Sequence, residues 1–321
     1  MPDDTRTRRI RGDGVDLAVY ERGSGPTVLL VHGYPDTHAV WDGVAARLAD
    51  QPRPTDPDRP PGPPRPTDLD RPPGRFHVVA YDVRGAGASS RPSGREAYGF
   101  GHLLADMRAV LDAVSPDAPV HLAAHDWGSI QSWEAVRTTP ERFASFTSIS
   151  GPCLDHASHW FRSRLRTPSG VPTAARQLLH SWYIAAFQVP VVPELVWRHW
   201  LAGRWSRRLE RAEGVPAGGG HPAPTLLQDA VAGLNLYRAN MLGLSRSARR
   251  LGVSPRVTVP TQVIVPTEDA YATPALAAEA PRPFTEHLRV RPVPMSHWGL
   301  LARPEEIARL IGDHIDHTTA A

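Results

Sequence analysis

The feature that most narrows the fold is a set of short, wholly apolar runs that each stop at a turn and alternate with segments of helical period. "TVLLVHG" (27–33) is continuous rather than alternating, as expected of a strand buried on both faces of a parallel sheet. "FHVVAYDVRG" (76–85), "VHLAAHD" (120–126) and "FASFTSISG" (143–151) repeat that pattern. Between them "FGHLLADMRAVLDAV" (100–114) and "WGSIQSWEAVRTT" (127–139) carry apolar residues at helical spacing. "DLAVYERG" alternates apolar and polar and predicts an early antiparallel strand. "TQVIVPTED" (261–269), "HLRVRPVP" (287–294) and the amphipathic "PEEIARLIGDHI" (304–315) close the series, with Pro304 suited to a first helical turn. The class is α/β, with a mostly parallel sheet flanked by helices.

Two segments break the rhythm. From Pro152 the chain is rich in Trp, Arg and Leu without buried-strand runs, which predicts an inserted helical cap over 152–255. The sheet domain then comprises a first part, 1–151, and a second, 256–321. Within the first part, "RPTDPDRPPGPP" (53–64) is followed by its near-copy "RPTDLDRPPGRF" (65–76). Proline this dense cannot enter a helix or a sheet interior, so 51–75 reads as a solvated inserted loop.

Composition excludes several classes. A chain of 321 residues with 41% hydrophobic content can fill a large core. All its basic side chains are arginine, and 36 of them against 33 acids leave a formal charge of only +3. With no basic stripe interleaved with aromatics in the linear sequence, a nucleic-acid partner is not expected. The single cysteine, Cys153, excludes an intrachain disulfide and fits a reducing compartment. The first residues lack the apolar core of a signal peptide and no run reaches membrane-spanning length, so the expectation is a cytoplasmic protein. Monomer and homo-oligomer both stay open.

The chemistry concentrates where strands give way to turns. Asp126 lies in Ala124-His125-Asp126-Trp127-Gly128, a strand-turn-helix frame like G-x-S-x-G with aspartate in place of serine. "HGYP" (32–35), Asp269 and His297 follow three other strands, in the chain order nucleophile, acid, histidine of the α/β-hydrolase fold. Asp126 alone could simply cap the helix opening at Trp127. The matching sites elsewhere argue for a nucleophile. A serine attacking an sp3 carbon would form an ether that water cannot readily cleave, whereas a carboxylate forms an ester that water hydrolyses at its carbonyl. Being ionised at neutral pH, Asp126 needs no base, which leaves His297 to deprotonate the hydrolytic water and Asp269 to orient the imidazole. The backbone N–H groups of Tyr34 and Trp127 are the expected oxyanion donors, and His32 reads as structural.

"HGYP", "HDWGS", "TED" and "SHWG" together resemble the epoxide hydrolase and haloalkane dehalogenase branch of the α/β-hydrolase superfamily over nearly the whole chain outside 51–75. "YIAAFQVPVVPE" (183–194) resembles the epoxide hydrolase cap pattern Y-x-x-x-F-Q-x-P-x-x-x-E, and "NLYRANM" (235–241) its N-x-Y-R segment. The resemblance implies that Tyr183 and Tyr237 hydrogen-bond the epoxide oxygen. Val191 departs from it, glycine being usual there. The implied reaction converts an epoxide and water to a vicinal diol through an ester on Asp126, with no cofactor and no metal. A haloalkane dehalogenase with the same Asp/His/Asp set is the alternative, weakened by Tyr34 where an asparagine is usual; a third is a catalytically silent binding protein. Cys153, His156 and His159 have ligand-like spacing but read as packing residues at the cap entrance. "DVRGAGASSRP" (82–92) reads as a structural turn, and His314 and His317 as solvated tail residues.

Overall fold

A computed structural model of the chain describes residues 5–50, 75–215, 220–241 and 256–319. Apart from Arg75, the proline-rich stretch lies outside the described residues, as does the end of the expected cap at 242–255.

The apolar runs form the middle of the molecule. β1 (Arg6–Arg11), β2 (Asp16–Arg22), β3 (Thr27–Val31), β4 (His77–Tyr81), β5 (Val120–His125), β6 (Phe143–Ile149), β7 (Thr261–Pro266) and β8 (Leu288–Val293) make one sheet in the order β1-β2-β4-β3-β5-β6-β7-β8. β1 and β2 pair antiparallel, as do β2 and β4, and every later pairing is parallel. Every residue of β3 and β5 is buried, as continuous apolar runs require of central parallel strands.

The flanking helices are α1 (Asp42–Asp50), α2 (Phe100–Val114) and α3 (Trp127–Thr138). Between β6 and β7 come α4 (Leu154–Arg164), α5 (Val171–His180), α6 (Trp182–Gln188), α7 (Val192–Val196), α8 (Trp205–Glu213) and α9 (Leu226–Asn240), with no strand among the described residues. α10 (Pro274–Glu279), α11 (Gly299–Ala302) and α12 (Pro304–Thr319) follow. No helix of the described residues is long and apolar enough to cross a membrane.

The structure corrects the reading of the C-terminal histidines. α12 continues to Thr319, and His314 lies on its inner face with Ile307, Ile311 and Ile315. It is buried, its Nε2 donates to the Pro260 carbonyl at 3.2 Å, and burial lowers its pKa to about 4. His317 is exposed as expected. The 82–92 turn is packed shut by Asp82, whose carboxylate accepts from the His38 and Ala88 N–H groups, and Asp229 of α9 accepts from the Gly87 N–H.

Candidate active site

Asp126 occupies the single residue between β5 and α3, with φ 51° and ψ −123°. A positive φ at a non-glycine residue is costly and persists only where the surroundings impose it. Here they do: a Cβ on Gly128 would lie 2.2 Å from the Val31 carbonyl oxygen, so α3 can start this close to β3 only with glycine there. A Cβ on Gly33 would lie 2.4 Å from the Asp126 Cβ, so the glycine of "HGYP" admits the carboxylate. Asp126 makes no side-chain cap to α3. Its Oδ1 instead accepts the Tyr34 N–H at 2.7 Å. No bond from the Trp127 N–H to that carboxylate is found among the described residues.

His297 joins two carboxylates. Its Nδ1 lies 3.0 Å from Asp269 Oδ2 and its Nε2 3.6 Å from Asp126 Oδ2. Asp269 is held in turn by the backbone N–H groups of Tyr271 at 2.7 Å and Ala272 at 3.1 Å. Burial works against the imidazolium, but Asp269 and Asp126 outweigh it and raise the His297 pKa well above its ordinary value. Burial likewise disfavours the Asp269 anion, yet His297 and the two N–H donors leave its pKa lowered. His125, which precedes Asp126, donates from Nε2 to the His297 carbonyl at 2.9 Å and is kept neutral by burial, with a pKa of about 4. His32 is structural: Nε2 accepts the Val83 N–H at 2.9 Å and Nδ1 bonds the Gly33 carbonyl at 2.8 Å.

A cavity of about 820 Å³ opens onto Asp126 and His297, roofed by α5 to α8. Tyr183 from α6 and Tyr237 from α9 both line it, their rings 5.9 Å apart and edge to face. Burial and then the facing Asp126 charge raise the Tyr183 pKa; for Tyr237 burial, Tyr183 and Asp126 act together. Both phenols therefore hold their protons and can donate. The Trp127 ring packs edge to face against Tyr237, centroids 5.0 Å apart, and borders a smaller void. Sequence reasoning missed Tyr271, which lines the cavity with its ring 4.7 Å from His297 and 5.3 Å from Tyr183. It also missed the aromatic wall of Phe187, Trp197, Trp205 and Trp298, and the arginine of the lining, Arg208. Position two residues after Asp269 was the only available signal for Tyr271.

Cys153, His156 and His159 do not converge. Cys153 is buried beside Arg137, while His156 stacks on Phe284 and His159 meets that ring edge-on. No group of three or more metal-ligating side chains occurs among the described residues.

A family model described as alpha/beta hydrolase fold matches residues 26–304. The chain belongs to the alpha/beta hydrolase fold family. Within it the similarities run to the epoxide hydrolase branch. The chain is similar to "Probable oxidoreductase EphD" of Mycobacterium tuberculosis, at 37% identity over 95% of this chain and 48% of that protein. It thus spans about half the length of that relative. "Epoxide hydrolase A" of Mycobacterium tuberculosis is 33% identical over 49% of this chain and 43% of its own length. In three dimensions, an epoxide hydrolase from Bacillus megaterium, complexed with its diol product, superposes with a TM-score of 0.74. That likeness of fold covers 96% of this chain and 100% of the other at 21% identity.

Proposed function

We propose that this chain is an epoxide hydrolase that opens an epoxide through an ester on Asp126. The observation that carries the reading is the meeting of two protonated phenols, Tyr183 and Tyr237, in the cavity that holds Asp126 and His297. Ring opening turns an ether oxygen into an alkoxide, which needs a donor on the side away from the nucleophile. Asp126 Oδ2 attacks one epoxide carbon, the carbon–oxygen bond breaks, and the leaving oxygen takes a proton from a tyrosine. Alkylation discharges Asp126 and so removes one of the two carboxylates that hold His297 as a cation. The imidazolium passes its proton to the tyrosinate left by ring opening, and the resulting neutral imidazole deprotonates water, which adds to the ester carbonyl, with the Tyr34 and Trp127 N–H groups as donors to the oxyanion. Collapse releases the diol and restores the carboxylate. Asp269 fixes the imidazole tautomer throughout.

Haloalkane dehalogenation fits less well, because Tyr34 stands where the halide-binding asparagine is usual and two phenols share the cavity with Asp126. The oxidoreductase in the name of EphD belongs to a protein about twice as long. In this chain the 82–92 turn lacks the glycine spacing of a dinucleotide fingerprint, and Asp82 packs against Gly87. The test is a single turnover of styrene oxide in oxygen-18 water with enzyme in excess. The expected product is diol carrying unlabelled oxygen from Asp126. Labelled diol would mean direct attack by water, and halide release from a bromoalkane without diol formation would favour dehalogenation.

A further inference from the structure

The exposed large apolar side chains of the described residues all fall between β6 and β7. α7 and the turn Trp197–Leu201 after it bury Pro193 and Trp197 and turn Val192, Leu195, Val196 and Trp200 outward, at 43% to 54% exposure. That is an apolar stripe on the solvent side of a helix, the reverse of the usual pattern. On α5 and at the start of α6, Leu178, Leu179 and Trp182 are exposed by 57%, 74% and 69%. Leu179, Trp182, Val192, Val196 and Trp200 also line the cavity, so these side chains form its rim.

α8 places charge beside the rim. It buries Trp205 and Leu209, and Arg204, Arg207, Arg208 and Arg211 follow one another at helical spacing along its exposed face. This corrects the expectation of no basic stripe interleaved with aromatics: Arg204, Arg207, Arg208 and Arg211 lie among Trp200 and Trp205 and share one groove. The four arginines with Trp200 and Leu201 line a groove of about 600 Å³ that meets the cavity rim at Trp200, Leu201 and Arg208. Arg204 donates to the Trp200 carbonyl and Arg208 to the Tyr271 hydroxyl, and no carboxylate among the described residues pairs with any of the four.

We propose that this face docks on an anionic phospholipid surface, with the apolar rim at headgroup depth and the arginine stripe against lipid phosphates, so that the cavity opens toward the bilayer. Exposed aromatic and aliphatic side chains bordered by cations are what an interfacial helix presents to such a surface. A nucleic acid would answer the arginines but not the Val/Leu rim. A second copy of the same face would answer the rim but brings the same excess of cations. Docking does not depend on the reaction proposed above; if that reaction holds, this orientation lets an apolar epoxide enter from the lipid.

The experiment is co-sedimentation of the 321-residue chain with vesicles, either phosphatidylcholine alone or phosphatidylcholine mixed with phosphatidylglycerol. Binding should require phosphatidylglycerol and weaken by roughly tenfold or more on raising salt to about 0.5 M. Arg204→Glu/Arg207→Glu/Arg211→Glu should lower the affinity by roughly tenfold or more, and Leu178→Ser/Leu195→Ser should lower it too, both melting as the parent does. Since vesicle binding is read without turnover, its failure is distinct from failure of the hydrolase reading. Absence of binding to anionic vesicles, or equal binding by the folded variants, overturns the proposal. Concentration-dependent dimers that Leu178→Ser/Leu195→Ser dissolves, in a chain that ignores vesicles, would assign the face to a second copy.

Discussion

His297 faces Asp126 through one ring nitrogen and Asp269 through the other, so under the proposed mechanism its substitution should separate alkylation from hydrolysis. His297→Gln should still be alkylated but fail to hydrolyse, leaving a covalent adduct of substrate mass on Asp126 that intact-protein mass spectrometry detects; Asp126→Ala should carry none. Full turnover by either variant would refute the assigned roles. The phenols can be divided in the same way. Loss of one donor to a developing oxyanion costs about 10²–10³-fold, and two donors partly cover for one another, so Tyr183→Phe or Tyr237→Phe should slow alkylation by that factor or less. The double variant should lose nearly all of it while staying folded, as rapid mixing with quenched tryptophan emission would register. Asp126, Asp269 and His297 were legible in the sequence because strand ends announce themselves as apolar runs that stop at turns. Tyr271 and Arg208 were not, since each reaches the cavity through where its loop or helix sits in three dimensions, which no local pattern encodes.

Among the elements, the turn into α7 holds a glycine conformation without a glycine. Val191 has φ 69° and ψ −40°, and the Val192 N–H donates to the Pro190 carbonyl at 2.8 Å, which makes a γ-turn centred on a β-branched residue. The departure noticed in the sequence at Val191 therefore changed the residue and left the turn in place. Such a backbone costs on the order of 1–3 kcal/mol, from which the greater freedom of glycine in the unfolded chain must be subtracted. Val191→Gly should accordingly gain about 1 kcal/mol and raise Tm by about 2 °C in a thermal melt. An unchanged or lower Tm would show that neighbouring contacts already relieve the strain. β1 escaped the sequence reading for the opposite reason: its "RTRRIR" is an edge strand with only Ile10 buried, and its side chains carry the charges that protect such edges rather than an apolar period. α9 is tied to the sheet domain by Asp229, which bonds the Gly87 N–H and Arg91, a contact between segments far apart in sequence that no local pattern encodes.

For the whole molecule, burial of histidines links stability to pH. His121, His125 and His314 each have a pKa lowered to about 4, in every case by burial first, while an unfolded histidine titrates near its ordinary value. Between about pH 4 and 6.5 the unfolded chain binds protons at these sites that the folded chain refuses, so each contribution is complete above that window and is lost as pH falls through it. Glu134, whose carboxyl burial raises to about 7, acts in the opposite sense across the same range, and His297, raised instead, loses its contribution only at higher pH. A single variant removes these offsets from the comparison. His314→Gln keeps an amide able to donate to the Pro260 carbonyl but cannot be protonated, so it discards one refused proton and also relieves His121, whose pKa the His314 charge helps to lower. Its Tm should lie below that of the parent at pH 7, through imperfect packing on the inner face of α12. The gap should narrow and then reverse toward pH 4.5, because the parent alone forfeits up to about 3 kcal/mol at this site. Melting curves of both proteins across that range decide the matter: a gap independent of pH would mean that His314 takes up its proton in the folded state without cost, and that its burial in α12 is not what opposes the charge.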